Sequence, residues 1–391
     1  MKLVVIGVGQ CGGRIADEFA RLNMKARSQR GMDIITGAFA VNADIADLSG
    51  LSRIKPDYQH RILIGSRKTG GHGVGKINEL GAEIAKEDAD KVIDAIITTR
   101  RLTEADAFLL IAGAGGGTGS GAIPVLTQQI KERFTDKPVY DLIILPFEHE
   151  EATEERTTYN AATCLKSSYL VADAVILVDN QRYISKESSI GNNLSKINAL
   201  IVKPFYNLLC AGEEKSPKYI GAKLLDAGDI IQTLVGWTII SYSEVHISAL
   251  KFLFDRAPDF RKRASETQKG TQAMDAAMSR LSLKCDPGDA KRALYLVTAP
   301  AREMSVDLLK ELGVHLKNLA PEAIIRSGDY PRSKDSVDVS VILSELSDVA
   351  KIRGYFTKTL SLISSMQKRQ EGIESDRLGI DISLKDIPSL L

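Results

Sequence analysis

Short apolar runs punctuate the first half of the chain, at Leu3–Ile6, Ala38–Val41, Ile62–Ile64, Phe108–Ile111, Leu142–Leu145 and Ala174–Val178. Each stops at a glycine-rich or polar turn, and most give way to a helical pattern. Uninterrupted apolar runs of this length are what strands covered on both faces require. The pattern therefore predicts an α/β architecture, a mainly parallel sheet with helices on both sides. Ligands of such sheets gather at the carboxyl ends of the strands.

The helical repeats are equally legible. Ile15, Phe19 and Leu22 recur every three to four residues, as do Ile123, Leu126, Ile130 and Phe134, with Pro124 expected in the tolerated first turn. Residues 190–213 form a long candidate helix that Pro204 is expected to kink or divide. Beyond residue 240 the order changes. Two helical stretches, 242–256 and 260–282, precede strands near 292–298, 322–327 and 336–343, with a helix near 305–318, which predicts a smaller α+β domain. A helix near 348–368 leads to a polar, flexible segment, Gln370–Arg377. The last residues alternate apolar and polar from Leu378 to Leu384, a pattern that can add as a strand or dock on a protein partner.

Composition narrows the classes. With 391 residues, 44% hydrophobic and 26% charged, the chain can bury two cores. Lysine plus arginine number 51 against 50 for aspartate plus glutamate, so no global field recruits nucleic acid or an anionic membrane surface. Cys11, Cys164, Cys210 and Cys285 form no CxxC pair, and no histidine stands at zinc-ligand spacing. Reduced thiols in a cytoplasmic protein are the expectation. The apolar opening stops at Gly7 without a cleavage site, and no stretch reaches the roughly eighteen apolar residues of a membrane span.

Two glycine clusters carry the chemistry. Gly7-Val-Gly9-Gln10-Cys11-Gly12-Gly13 lies between a predicted strand and a predicted helix, where backbone amides and a helix N-terminus can face a diphosphate. It also satisfies GxGxxG. A dinucleotide-dependent oxidoreductase, the rival reading, would want an acid about twenty residues on at the end of the second strand. Here that acid is Asp44, much farther along. The second cluster, Gly115-Gly116-Gly117-Thr118-Gly119-Ser120-Gly121, leaves consecutive amides unshielded, a nest for phosphate oxygens. A dehydrogenase has no use for this second cradle. Gly70-Gly71-His72-Gly73-Val74-Gly75-Lys76 nearly matches a P-loop, yet Ile77 stands where a magnesium-holding hydroxyl is needed.

On these residues the chain resembles the tubulin/FtsZ superfamily, whose signature is GGGTGSG. The resemblance implies a Rossmann-like nucleotide domain over 1–190, a central helix and catalytic loop over 191–232, a C-terminal domain that activates a neighbour's nucleotide over 233–368, and a tail over 369–391. It implies GTP or GDP with Mg2+ as cofactors, and a second copy of the chain, stacked head to tail, as partner. Gly9, Gln10, Cys11 and Gly12 match the first nucleotide loop; Asn42 and Asp44 the second, with Mg2+ expected near Asp44; Gly71 and Gly73 the third. Gly115, Gly116, Gly117, Thr118, Gly119 and Ser120 match the fourth. In the fifth, Glu155 is the ribose candidate among the competing glutamates of 148–155. Asn180 and Asn198 match the guanine readers, because an amide offers the donor and acceptor that guanine's edge requires.

Asp226 and Asp229 match the catalytic pair that relatives insert into the next subunit's pocket, although Leu224 replaces the asparagine usual two residues earlier. Alone, these acids would read as a helix cap and a first-turn acid, and Asn180 and Asn198 as turn and surface amides. Leu224 keeps open a nonhydrolysing reading. Within the family the tubulin-like first loop, the asparagine pair and the lack of an acidic tail are most similar to the CetZ branch. That likeness implies a role in cell shape or envelope organisation rather than division.

Overall fold

The computed structural model describes residues 1–184, 190–247 and 270–363. The segments expected to be helical over 248–256, 260–269 and 364–368, and the whole tail of 369–391, lie outside the described residues.

Ten strands, β1 (Leu3–Val8), β2 (Ile35–Asn42), β3 (Arg61–Leu63), β4 (Ala107–Gly113), β5 (Val139–Leu145), β6 (Ala174–Asp179), β7 (Gly236–His246), β8 (Arg292–Ala299), β9 (Ile324–Pro331) and β10 (Ser336–Leu346), form one sheet in the order β3-β2-β1-β4-β5-β6-β7-β10-β8-β9. Neighbours from β3 to β7 run parallel. β10 is antiparallel to both β7 and β8, and β9 returns parallel to β8. Every apolar run of the first half is a strand of this sheet.

The helices are α1 (Gly9–Arg30), α2 (Ile45–Ser49), α3 (Ser66–Thr69), α4 (Asn78–Glu87), α5 (Ala89–Ile97), α6 (Thr118–Arg133), α7 (Glu148–Thr153), α8 (Glu155–Val171), α9 (Ile190–Ala211), α10 (Ala227–Thr233), α11 (270–279), α12 (Val306–Leu319) and α13 (350–363). They cover both faces. Alternate residues of one strand therefore enter different cores: Val4, Ile6 and Val8 join Phe108 and Leu110 on one side, Leu3 and Val5 join Leu109 and Ile111 on the other.

Two expectations need correction, and one alternative left open is decided. Residues 242–246 are the end of β7, paired with β10 from Tyr242↔Ser340 to His246↔Ser336, and not a helix. Ser241 and Ser243 are both buried and donate to the carbonyls of Ala277 and Ala273 on α11. A hydrogen-bonded serine can occupy a core position that an unpaired one cannot. Pro124 lies in the second turn of α6, because the glycine-rich signature is itself helical from Thr118. Pro204 does not divide α9. An interior proline costs about 3 kcal/mol. Ile197, Ile201, Phe205, Leu208 and Leu209 are all buried, and each full burial returns about 1.5–3 kcal/mol. Phe205 meets Phe19 of α1 edge-on with centroids 5.2 Å apart.

The register sets the site. Val8 of β1 is level with Val41 of β2 and Ala112 of β4, so the loops that follow the three strands emerge side by side at one edge.

Candidate functional site

At that edge lies an open cleft of about 1250 Å³. The first loop turns at Gly9, whose φ of +70° favours glycine, and an added Cβ would stand 2.8 Å from the Gly119 amide nitrogen. The two cradles thus touch back to back. Val8 and Gly117 precede α1 and α6, and neither gives a side-chain cap; neither helix has an acid in its first turn. Two helix N-termini with orphan amides and unopposed positive dipole ends converge on one cavity, the arrangement that favours a multiply charged anion.

The signature loop is held from behind. Asn160 Nδ2 donates to the carbonyls of Gly116 and Lys76, each at 2.9 Å, and Ser120 Oγ donates to the Gly116 carbonyl. With its carbonyls tied at the rear, the loop turns its amides to the cavity. Gly116 itself has no positive φ, and a Cβ there would find nothing within 4 Å. Neither conformation nor packing within the chain demands glycine at this position, which leaves the approach of a ligand as the physical reason for it.

On the opposite wall Asp47 joins the first loop to the second: it accepts from Gln10 Nε2 at 2.6 Å and from Asn42 Nδ2 at 3.0 Å, while Asp44 Oδ1 caps α2 by accepting the Asp47 amide at 3.1 Å. The third loop docks on the second through its backbone, with the Gly73 amide donating to Ala43 O at 3.1 Å and the Ile45 amide to Gly71 O at 3.0 Å. Burial pushes the half-buried Cys11 thiol up to about 12, with the Glu150 carboxylate adding to the rise. A thiol shifted in that direction stays protonated near neutral pH, so Cys11 lines the cleft as an uncharged side chain.

Of the residues singled out in the sequence, Gly9, Gln10, Cys11, Asn42, Asp44, Gly73, Gly115, Gly116, Gly117, Thr118, Gly119, Asn180 and Asn198 line this cleft. Four do not. Gly12 packs on β4, where a Cβ would lie 1.9 Å from the Ile111 carbonyl oxygen. Gly71 and Ser120 act through the bonds just described. Glu155 is exposed at the start of α8, and the glutamate in the cleft wall is Glu150, whose Oε2 accepts the Phe147 amide at 2.9 Å.

Sequence reasoning missed Arg14, Asp47, Lys76 and Thr157. Arg14 follows Gln10 by one helical turn, a spacing that placed it on the same face. Lys76 has φ +60° and its ammonium pairs with Glu154. Among the described residues no group of three or more His, Cys, Asp or Glu side chains could hold a metal alone. Mg2+ that arrives on phosphates needs only one or two carboxylates and its own waters, which Asp44 and Asp47 can provide.

Asp226 and Asp229 are not in this cleft. Asp226 is exposed and caps α10, its Oδ1 accepting the Asp229 amide at 2.9 Å. Asp229 lies 3.6 Å from Arg326 Nε. The loop before them, residues 221–225, is fastened to β9.

Comparison with known proteins agrees with this geometry. The family model for the tubulin/FtsZ GTPase domain matches residues 2–186, and that for the C-terminal domain of tubulin-like CetZ matches 187–360. Tubulin-like protein CetZ1 of Haloferax volcanii is 34% identical over 367 residues, 90% of each chain. The GDP-bound monomer of that protein superposes with a TM-score of 0.79 at 32% identity, over 93% of this chain and 99% of the other. The GTPγS-bound protofilament of CetZ2 from the same organism gives 0.80 at 28% identity, over 94% and 100%. The chain belongs to the tubulin/FtsZ family of GTPases, and within that family it falls in the tubulin-like CetZ branch.

Proposed function

We propose that the chain binds GTP with Mg2+ in the cleft, assembles head to tail into protofilaments, and hydrolyses GTP where two subunits meet. The observation that carries this is Gly116, a glycine with open space in front of it between two uncapped helix N-termini. Gly115 to Gly119 and Gly9 to Cys11 cradle the phosphates through backbone amides. Asp44 and Asp47 would hold the magnesium, which would supply charge neutralisation on the phosphates. Asn180 and Asn198, at the end of the cleft with Leu194 and Phe147, read the guanine, and Glu150 takes the ribose position in place of Glu155. Asn42, Gly73 and Gln10 order the loops around the terminal phosphate.

Asp226 and Asp229 lie outside their own cleft, a position that supports their serving another copy's. From there they orient and polarise the water that attacks the γ-phosphate, a reaction in which positioning and electrostatics supply most of the acceleration. The CetZ2 protofilament and the GDP-bound CetZ1 are the assembled and monomeric forms known for relatives. Residues 1–190 form the nucleotide domain, 191–232 the central helix with its loop, 233–368 the activating domain, and 369–391 a tail that recruits a protein partner. No helix of the described residues is long and apolar enough to cross a membrane. The polymer works in the cytoplasm, in cell shape or envelope organisation.

Phosphate release measured against protein concentration tests the reading. A trans site gives a steeper than linear rise above a threshold. A strictly proportional rate from the lowest concentration contradicts it, and GTP binding without release gives the nonhydrolysing reading. Leu224, 47% exposed on the catalytic loop, is where such a departure would begin.

A further inference from the structure

A second cleft, of about 1820 Å³, opens between the C-terminal half of α1, α9 and the ends of β7, β8 and β10. It shares no lining residue with the nucleotide cleft. Among the described residues, seven basic side chains line it against a single carboxylate, Asp338. Several are already paired: Arg332 with Glu214 at 2.8 Å, and Lys203 and Lys334 with one shared carboxylate, Glu244, at 3.1 and 2.6 Å. Lys25 and Arg30 have no carboxylate partner among the described residues. They rest instead on aromatic faces, Lys25 Nζ 4.7 Å and Arg30 Cζ 4.0 Å from the Tyr206 ring centroid.

An independent observation points the same way. Thr298 on β8 lines this cleft, is 4% exposed, and its hydroxyl has no hydrogen-bond partner. A buried unpaired hydroxyl costs free energy that an incoming acceptor would recover. Cations without counterions beside an unsatisfied donor form a site for an acceptor-rich anion. Arg30, whose Nη1 and Nη2 already donate to the Tyr330 hydroxyl and to Asn207 Oδ1, contributes positive charge to the site, and Lys25 a mobile point charge.

We propose that this cleft is a second ligand site, for a soluble oligophosphate carrying two or more phosphoryl groups. Lys196 and Lys203 of this cleft lie on α9, the helix that also carries Leu194 and Asn198 into the nucleotide cleft, so a ligand here bears on the element that reads the base.

The test is calorimetric titration of the full chain with inorganic tripolyphosphate, in excess GDP to fill the nucleotide cleft. The expected result is saturable uptake, one per chain, weakened at least about tenfold by Lys25→Glu and by Thr298→Val, and reduced by added salt because the cations are partly exposed. Gly116→Val should leave it unchanged, which separates this site from the reading of the main cleft. Lys25 is exposed, so its substitution leaves the core intact. Orthophosphate should bind more weakly. No saturable uptake, equal uptake by Lys25→Glu, loss that follows Gly116→Val instead, or orthophosphate binding as tightly as tripolyphosphate would each overturn the proposal.

Discussion

The side-chain amide of Asn160 on α8 donates at 2.9 Å to the carbonyl of Gly116 in the signature loop. It thereby determines which way the loop's amides point. Removing a buried donor leaves its acceptors unsatisfied, at about 1–3 kcal/mol. Asn160→Ala should weaken GTP binding by about tenfold or more, since about 1.4 kcal/mol is a factor of ten. The fold should be kept, because the loop and not the core loses its tether. Fluorescence titration with a labelled GTP analogue checks this, and unchanged affinity in a folded variant would remove Asn160 from the cradle.

Asp329 on β9 does the corresponding work for the catalytic loop. Its carboxylate accepts the amides of Lys223 at 2.6 Å and Ala222 at 3.0 Å, and its own amide donates to Lys223 O at 3.0 Å. Asp329 is 4% exposed, so these bonds are little screened. Asp329→Ala should leave nucleotide affinity intact and lower turnover, by about tenfold or more if loop placement matters as positioning does elsewhere in catalysis. Parallel measurements of binding and phosphate release decide it.

Asp141 gives a pH dependence with a definite sign. It is wholly buried on β5, where burial raises its carboxyl from 3.8 to about 7 even though Thr127 Oγ1 donates to it at 2.6 Å. The folded state therefore holds the proton more tightly than the unfolded chain. Its contribution to stability is fully present below pH 3.8 and is lost as pH rises toward and through 7. Asp141→Asn should flatten the fall in Tm across that window and melt higher than the parent above it. A steeper pH slope in the variant would contradict the assignment.

The parallel half of the sheet was legible because its strands are buried on both faces and read as unbroken apolar runs. The glycine clusters stood out because they place glycine where packing alone does not require it, as at Gly116. β7 was misread because Ser241 and Ser243 hide in the core through bonds to α11 that no local pattern announces. That Glu150 and not Glu155 lines the cleft depends on how α7 and α8 abut, a tertiary matter among several acids of equal local merit. Asp47, three residues beyond the recognised Asp44, draws its role from Gln10 and Asn42, contacts that only folding creates.

The central claim is that one subunit's carboxylates complete another subunit's cleft. Gly116→Val spoils the cradle and leaves Asp226 and Asp229 intact, while Asp229→Ala spoils the carboxylate pair and leaves the cradle intact. Asp229→Ala alone should bind GTP, lose turnover and hold its filaments longer. The most direct measurement is phosphate release from the two variants, each alone and then mixed in equal amounts. Near-zero rates alone with turnover restored in the mixture is the predicted result. A mixture no more active than the sum of its parts, with both variants folded and co-assembled, would contradict hydrolysis across the interface.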